Sequence, residues 1–230
     1  MSSAGHFPLY FPQEAGRPFQ SEDLYRRLAR TAGWTKKSRV LELCGGEAGQ
    51  FYARELGCSI AAVDVDGGAV EALTALPFQS GELDGVVCLG RVPMSLATAV
   101  PALRRFLAPR GRLALTYPVK VGKLPAKRAV DFWEEKRLGE KLLSPREALQ
   151  VFERAGYEPE GCETLSDAEL DAFYRELEPL LEQASMQAAL LREELEVHRS
   201  QGGKASVTFG LVIGRRKEPG ERPPPSRDTG

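Results

Sequence analysis

Residues 39–66, RVLELCGGEAGQFYARELGCSIAAVDVD, constrain the fold more than any other stretch of the chain. An apolar run (Val40, Leu41, Leu43) feeds a turn of small residues, Cys44 to Gly49, and then a helical pattern. A second apolar run follows and closes on the acids Asp64 and Asp66. Strand, glycine turn and helix in that order set backbone N–H groups and the positive end of a helix at one edge of a sheet. An acid ending the next strand stands beside that edge, where it can accept hydrogen bonds from a ribose. The turn lacks the G-x-G-x-x-G spacing, which argues against a nicotinamide dinucleotide.

The rest of the chain keeps alternating short apolar runs with helical patterns. Ser21 caps a predicted helix through Leu24, Leu28 and Ala32, stopped by Gly33. Leu83–Leu89 reads as a buried strand, Ser95–Leu107 as a helix closed by Pro109-Arg110-Gly111, and Arg112–Tyr117 as a strand ending at Pro118. Ser144-Pro145-Arg146-Glu147 and Ser166-Asp167-Ala168-Glu169 are capping boxes. The first opens a helix to Gly156. The second opens a long helical segment running past Pro179 towards Leu195. Tyr157–Thr164 and Ala205–Ile213 read as two late strands that form a hairpin-like edge around that segment. The expected class is α/β, a Rossmann-like and mostly parallel sheet with helices on both faces. The last strand is antiparallel, and the third-strand region between Asp66 and Leu76 is shortened.

With 230 residues, the chain reads as one domain over 1–214, with an irregular arm at 1–20 and insertions at 119–142 and 166–203. The charged, proline-rich stretch 215–230 reads as a disordered tail. A formal net charge of −1 gives no electrostatic case for nucleic acid. No long charge-free apolar span suggests a signal peptide or membrane helix. The four cysteines lack paired metal spacing. A reduced, cytoplasmic protein without metal is expected.

VLELCGGEAG, AAVDVD, LPFQSGELDGVVCLGRV, the helix–strand passage ending RLALTYP and FERAGYEPE resemble, in order, the motifs of the class I S-adenosylmethionine-dependent methyltransferases. The resemblance covers roughly residues 20–215. It implies S-adenosylmethionine as cofactor, with Glu42, Cys44, Gly46, Asp64, Val65 and Leu89 around it. Cys44, Gly46 and Ala48 stand at the family's three turn-glycine positions, and Asp64 at the ribose-holding acid.

The resemblance to members with a helical cap implies a small-molecule methyl acceptor, with Tyr117, Trp133 and Tyr174 as pocket candidates. The leucines of the insertion, Leu177, Leu180 and Leu190, are candidate contacts for a second copy or a protein partner. The alternative expectation is a methyltransferase-fold protein whose cofactor site is degenerate and which serves as an interaction module. His198, near the end of a charged helix, reads as a surface residue, and the lysines at 120–128 as a solvated basic loop.

Overall fold

A computed structural model describes residues 19, 21–43, 47–63, 73, 75–91, 94–182, 185–218 and 220. Cys44, Gly46, Asp64 and Val65 lie outside the described residues, as do the arm before Phe19 and most of the segment between Val63 and Leu76.

Helix α1 (Glu22–Ala32) leads into strand β1 (Arg39–Leu43), helix α2 (Glu47–Leu56) and strand β2 (Ser59–Val63). Strand β3 (Leu83–Arg91), helix α3 (Leu96–Arg104) and strand β4 (Leu107–Lys120) follow. Helix α4 (Lys127–Phe132) continues into a wide π-helical segment (Trp133–Leu138). Helix α5 (Pro145–Arg154) and strand β5 (Tyr157–Thr164) come next. Helix α6 (Asp167–Leu177), a 3-10 turn (Glu178–Glu182) and helix α7 (Met186–Ser200) precede strand β6 (Val207–Arg216).

The sheet order is β2-β1-β3-β4-β6-β5. The pairs β1–β2, β1–β3 and β3–β4 are parallel, and β6 runs antiparallel to both β4 and β5. This is the expected mostly parallel sheet with an antiparallel last strand. Among the described residues no strand pairs outside β2, in line with the shortened third-strand region.

Strand period sorts the side chains between two layers. Val40, Val87, Leu89, Ala114, Phe209 and Leu211 join the aromatic residues of α1, α2, α6 and the π-helical segment. Leu41, Val86, Cys88, Leu113, Leu115 and Val212 face α3 and α5. Strands buried on both faces explain the nearly continuous apolar runs of β1 and β3. Cys58 and Cys88 behave as small buried hydrophobes, as their apolar flanks suggest.

Several boundaries differ from expectation for local reasons. Helix α3 stops at Arg104 rather than Leu107, because Leu107 enters the sheet opposite Leu83. Strand β4 does not end at Pro118, which pairs with Phe209. Among the described residues β3 pairs no further than Arg91–Thr116, so on that side β4 has no partner at Pro118 and a residue without an N–H is tolerated. The long helical segment is broken: α6 ends at Leu177, and Pro179 sits in a 3-10 turn because it cannot donate to the helix. Arg215 and Arg216 belong to β6, and Arg215 is tied to Glu158, so ordered chain extends into the expected tail.

Ser21 leaves α1 without a side-chain cap, while Gly33 at φ 67° ends it as expected. Both capping boxes form in full, with Glu147 and Glu169 bonding back to Ser144 and Ser166.

Candidate functional site

Strands β1, β2 and β3 end on one edge at Leu43, Val63 and Arg91, and β4 runs on past them to Lys120. Between β1 and β3 the order of connection reverses, since β1 leads outward to β2 and the chain then returns to β3. A crevice at such a switch point is where open α/β sheets bind ligands. Helix α2 starts four residues after β1 ends, so its N-terminus meets this edge.

Glu42 is 3% exposed, and its Oε2 accepts the backbone N–H of Gly49 at 3.1 Å. Gly49 is the third residue of α2, so the buried carboxylate satisfies one of the helix's four orphan donors. A Cβ at position 49 would overlap Oε2 and lie 2.9 Å from Ile60 Cγ2. The motif therefore needs glycine at 49 for close approach. Leu89, the other described cofactor candidate, lies buried on β3 in the same layer as α2. Glu42 and Leu89 thus sit on the two strands that flank the crevice.

A polar residue that the apolar reading of β4 passed over stands at the same end of the sheet. Thr116 is 0% exposed and its Oγ1 has no hydrogen-bond partner. It pairs with Arg91 across a register shift where β3 ends. A buried hydroxyl without a partner at a ligand-binding edge fits a group that completes its hydrogen bond on binding. Its only signal in the sequence is one polar residue inside LALTYP. Tyr52, in the aromatic cluster with Tyr25, Trp34 and Phe51, has a second unpartnered hydroxyl. Burial, followed by the neighbouring Tyr25 and Glu42, pushes that phenol well above its ordinary range.

The three pocket candidates are all buried. Tyr117 is 1% exposed in the α3/α5 layer, where its hydroxyl donates to Glu140 Oε1 at 2.5 Å. Burial first and then Glu140 hold it un-ionised. Trp133 packs edge-on against Phe132 and Phe209. Tyr174 donates to Glu194 Oε1 at 2.9 Å. Trp133 and Tyr174 belong to the interior of the helical cap formed by α4, the π-helical segment, α6 and α7.

That interior also holds an ion pair, Arg137 Nε to Glu194 Oε2 at 2.8 Å. His198 is 5% exposed, not a surface residue. Its ring stacks on Tyr174 at 4.4 Å, and its Nε2 lies 3.1 Å from Asp171 Oδ1. Lys204 donates to Asp171 Oδ2 at 2.5 Å. Lys204 first, then His198, hold the Asp171 carboxyl below its ordinary value. The cap is therefore closed by charges as well as by leucines. Leu177 is buried within it, which removes this residue from any surface offered to a partner.

A cleft of about 210 Å³ opens at the same sheet edge, between α1, the end of β5 and α6. Phe19, Phe173, Arg27, Glu163 and Glu169 line it. Arg27 is paired with Glu163, and hydrogen bonds from Ser166 lower the Glu169 carboxyl. Phe173 lines the cleft, and its neighbour Tyr174, the expected pocket residue of the cap, does not. Two adjacent aromatics on one helix leave only packing to decide which faces in. Of the basic loop, Lys127 is largely exposed beside Asp131, while Lys120 pairs with Glu147 at 3.4 Å. Among the described residues no group of three or more His, Cys, Asp or Glu is arranged for a metal. No described helix is long and apolar enough to cross a membrane.

The architecture matches solved structures closely. A protein from Galdieria sulphuraria assigned as a sarcosine dimethylglycine methyltransferase superposes with a TM-score of 0.65 at 16% identity, over 85% of each chain. An S-adenosylmethionine-dependent methyltransferase from Thiobacillus denitrificans, solved with S-adenosylhomocysteine, gives 0.64 at 15% identity, over 89% of this chain and 94% of the other. The chain has the class I S-adenosylmethionine-dependent methyltransferase fold. The [4+2]-cyclase SpnF shares it, with a TM-score of 0.62 at 16% identity over 86% of this chain and 81% of the other. No family model and no curated protein matches the sequence.

Proposed function

We infer that the protein is an S-adenosylmethionine-dependent methyltransferase acting on a small-molecule acceptor. The observation that carries this reading is the buried Glu42 seated on the N-terminus of α2 at the β1/β3 switch point. Glu42 takes one of the helix's N–H groups and ties strand β1 to helix α2. The remaining orphan donors and the positive helix end suit the cofactor's carboxylate. Asp64, Val65, Cys44 and Gly46 would complete the ribose and turn contacts, as in the motifs they resemble. Thr116 supplies an unspent hydroxyl beside the crevice.

When bound, the cofactor supplies a methyl group on a sulfonium. The protein's part is to place the acceptor in line with that methyl and exclude water, which accounts for most of the acceleration such a displacement needs. The cleft beside Phe19 and Phe173 has the size of a small metabolite and supports an acceptor of that class. A cytoplasmic location agrees with the cysteine usage and charge.

One observation favours a second reading, a methyltransferase-fold module without cofactor: among the described residues the sheet ends at β2, with no third strand beyond it. Incubation with S-adenosylmethionine carrying a labelled methyl group and a panel of small alcohols, amines and thiols separates the two. Label in a low-molecular-mass product supports the enzyme. Failure of the protein to hold the cofactor supports the module.

A further inference from the structure

On the opposite edge of the sheet two cations have no acid partner among the described residues. Helix α3 ends at Arg104, β6 ends at Arg216 and β5 begins after Gly156, so these residues meet at the N-terminal ends of β4 and β5. Arg216 Nη1 donates to the carbonyl oxygens of Arg104, at 3.3 Å, and Leu107, which closes the last turn of α3. That places its charge against Arg104. Burial, and then the positive Arg104, hold the Arg216 guanidinium below its ordinary value. Both cations also act on the buried hydroxyl of Tyr157, which donates to the Val100 carbonyl at 3.3 Å.

Arg104 itself lies over Gly156, where φ is 85°; a Cβ there would fall 2.9 Å from its Nε and 3.1 Å from Nη2. Among the described residues, Arg104 donates to no protein acceptor, and no carboxylate pairs with Arg104 or Arg216. The Nε of each is buried and unpartnered. Neighbouring arginines are answered: Arg215 by Glu158, Arg112 by Glu160 and Arg110 by Glu218. Lys217 follows Arg216 directly, and its backbone N–H bonds the Gly156 carbonyl at 3.2 Å.

The carbonyl ends of α3 and α5 favour some positive charge at this edge. Arg216 meets that need at α3 through its two carbonyl bonds. Arg104 does not, since its donors meet no carbonyl. Two like charges held together, one with an idle planar fork, call for an anion.

We propose that Arg104 and Arg216 form an anion site for a phosphate or phosphomonoester group, on the edge opposite the strands' C-terminal ends. A tetrahedral dianion offers two oxygens to the Arg104 fork and neutralises the repulsion between the guanidinium groups. Glycine at 156 leaves the space that the Arg104 guanidinium occupies, where a Cβ would crowd it. The site is independent of the cofactor reading and stands whether or not the cofactor binds.

Calorimetry on the full chain at low ionic strength tests it, with inorganic phosphate and glycerol 3-phosphate as separate titrants. Both bind the wild type, and Arg104→Gln weakens them at least about tenfold, the loss expected of charged hydrogen bonds. Arg110→Gln, at a paired arginine on the same edge, leaves the affinity unchanged. Tighter binding of glycerol 3-phosphate assigns the site to a phosphorylated small molecule, and equal binding assigns it to free phosphate. Because the Arg104 side chain makes no hydrogen bond among the described residues, Arg104→Gln melts no lower than the wild type in phosphate-free buffer. Phosphate then raises the wild-type melting temperature and not the variant's. Absence of binding by both titrants at about 10 mM, or an unchanged affinity in Arg104→Gln, overturns the proposal.

Discussion

Glu42 and Gly49 interlock: the carboxylate of one occupies the space that a side chain on the other would fill, and accepts its N–H at 3.1 Å. Strand β1 and helix α2 are thereby held at a fixed approach. Gly49→Ala forces Glu42 or Ile60 to move, because both lie too close for a methyl group. Overpacking of this kind costs about 1–3 kcal/mol. Urea unfolding of the variant is expected to show that loss. Wild-type stability in Gly49→Ala would mean that the helix end is not held by this contact.

Thr116→Val tests whether the buried hydroxyl serves a ligand. In the free protein Oγ1 has no partner, so its replacement by a methyl group is expected to be neutral or to stabilise by up to about 1 kcal/mol. In the presence of cofactor the variant should gain less stability than the wild type. A thermal scan with and without S-adenosylhomocysteine reads both effects. A destabilised free variant with full ligand response would place Thr116 in the scaffold alone.

The Arg137–Glu194 ion pair lies inside the cap, its charged atoms 2.8 Å apart and both side chains almost wholly buried. Removing one partner leaves a buried charge uncompensated, so Arg137→Met should cost about 3–5 kcal/mol. Replacing both, as Arg137→Met with Glu194→Met, should recover most of that loss. Denaturant unfolding of the two single variants and the double variant gives the coupling. Additive losses would contradict a paired arrangement.

Ser144 and Glu147 give a pH-dependent contribution whose sign is fixed. Hydrogen bonds from the Ser144 backbone and side chain, and then Lys120, lower the Glu147 carboxyl from 4.5 to about 2. A depressed carboxyl stabilises the fold above its unfolded value and loses that contribution as pH falls towards the folded value. Ser144→Ala should therefore cost about 1 kcal/mol near neutral pH and progressively less between about pH 4.5 and 2. Stability measured for both proteins across that range checks the trend. A difference that grows on acidification would contradict it.

The elements that were legible in the sequence are those whose signals are local. Both capping boxes, the Gly33 stop and the apolar runs of β1, β2 and β3 depend on residues a few positions apart, and they appear in the structure. The extension of β4 to residues 107–120 was not legible, because it is set by Leu83 and Phe209 on other strands. The burial of His198 was hidden for a related reason. Helix α7 turns a polar face inward, and only its pairing with Arg137, Tyr174 and Asp171 makes that face a core. For the site, Glu42 lies near the end of β1 and Leu89 on β3, both strands that apolar runs announce. The cleft residues Phe173, Arg27 and Glu163 come from three elements, and Arg27 on α1 is far in sequence from the other two, so no single stretch announced them.

The central claim is that the edge shaped by Glu42 and Gly49 holds S-adenosylmethionine. Calorimetric titration of the intact protein with S-adenosylmethionine and S-adenosylhomocysteine tests it most directly. Saturable binding of both is expected, weakened by about 1–3 kcal/mol in Asp64→Ala, where ribose hydrogen bonds are lost. No heat of binding from either ligand at about 1 mM, where even affinities near 4 kcal/mol would register, would contradict it.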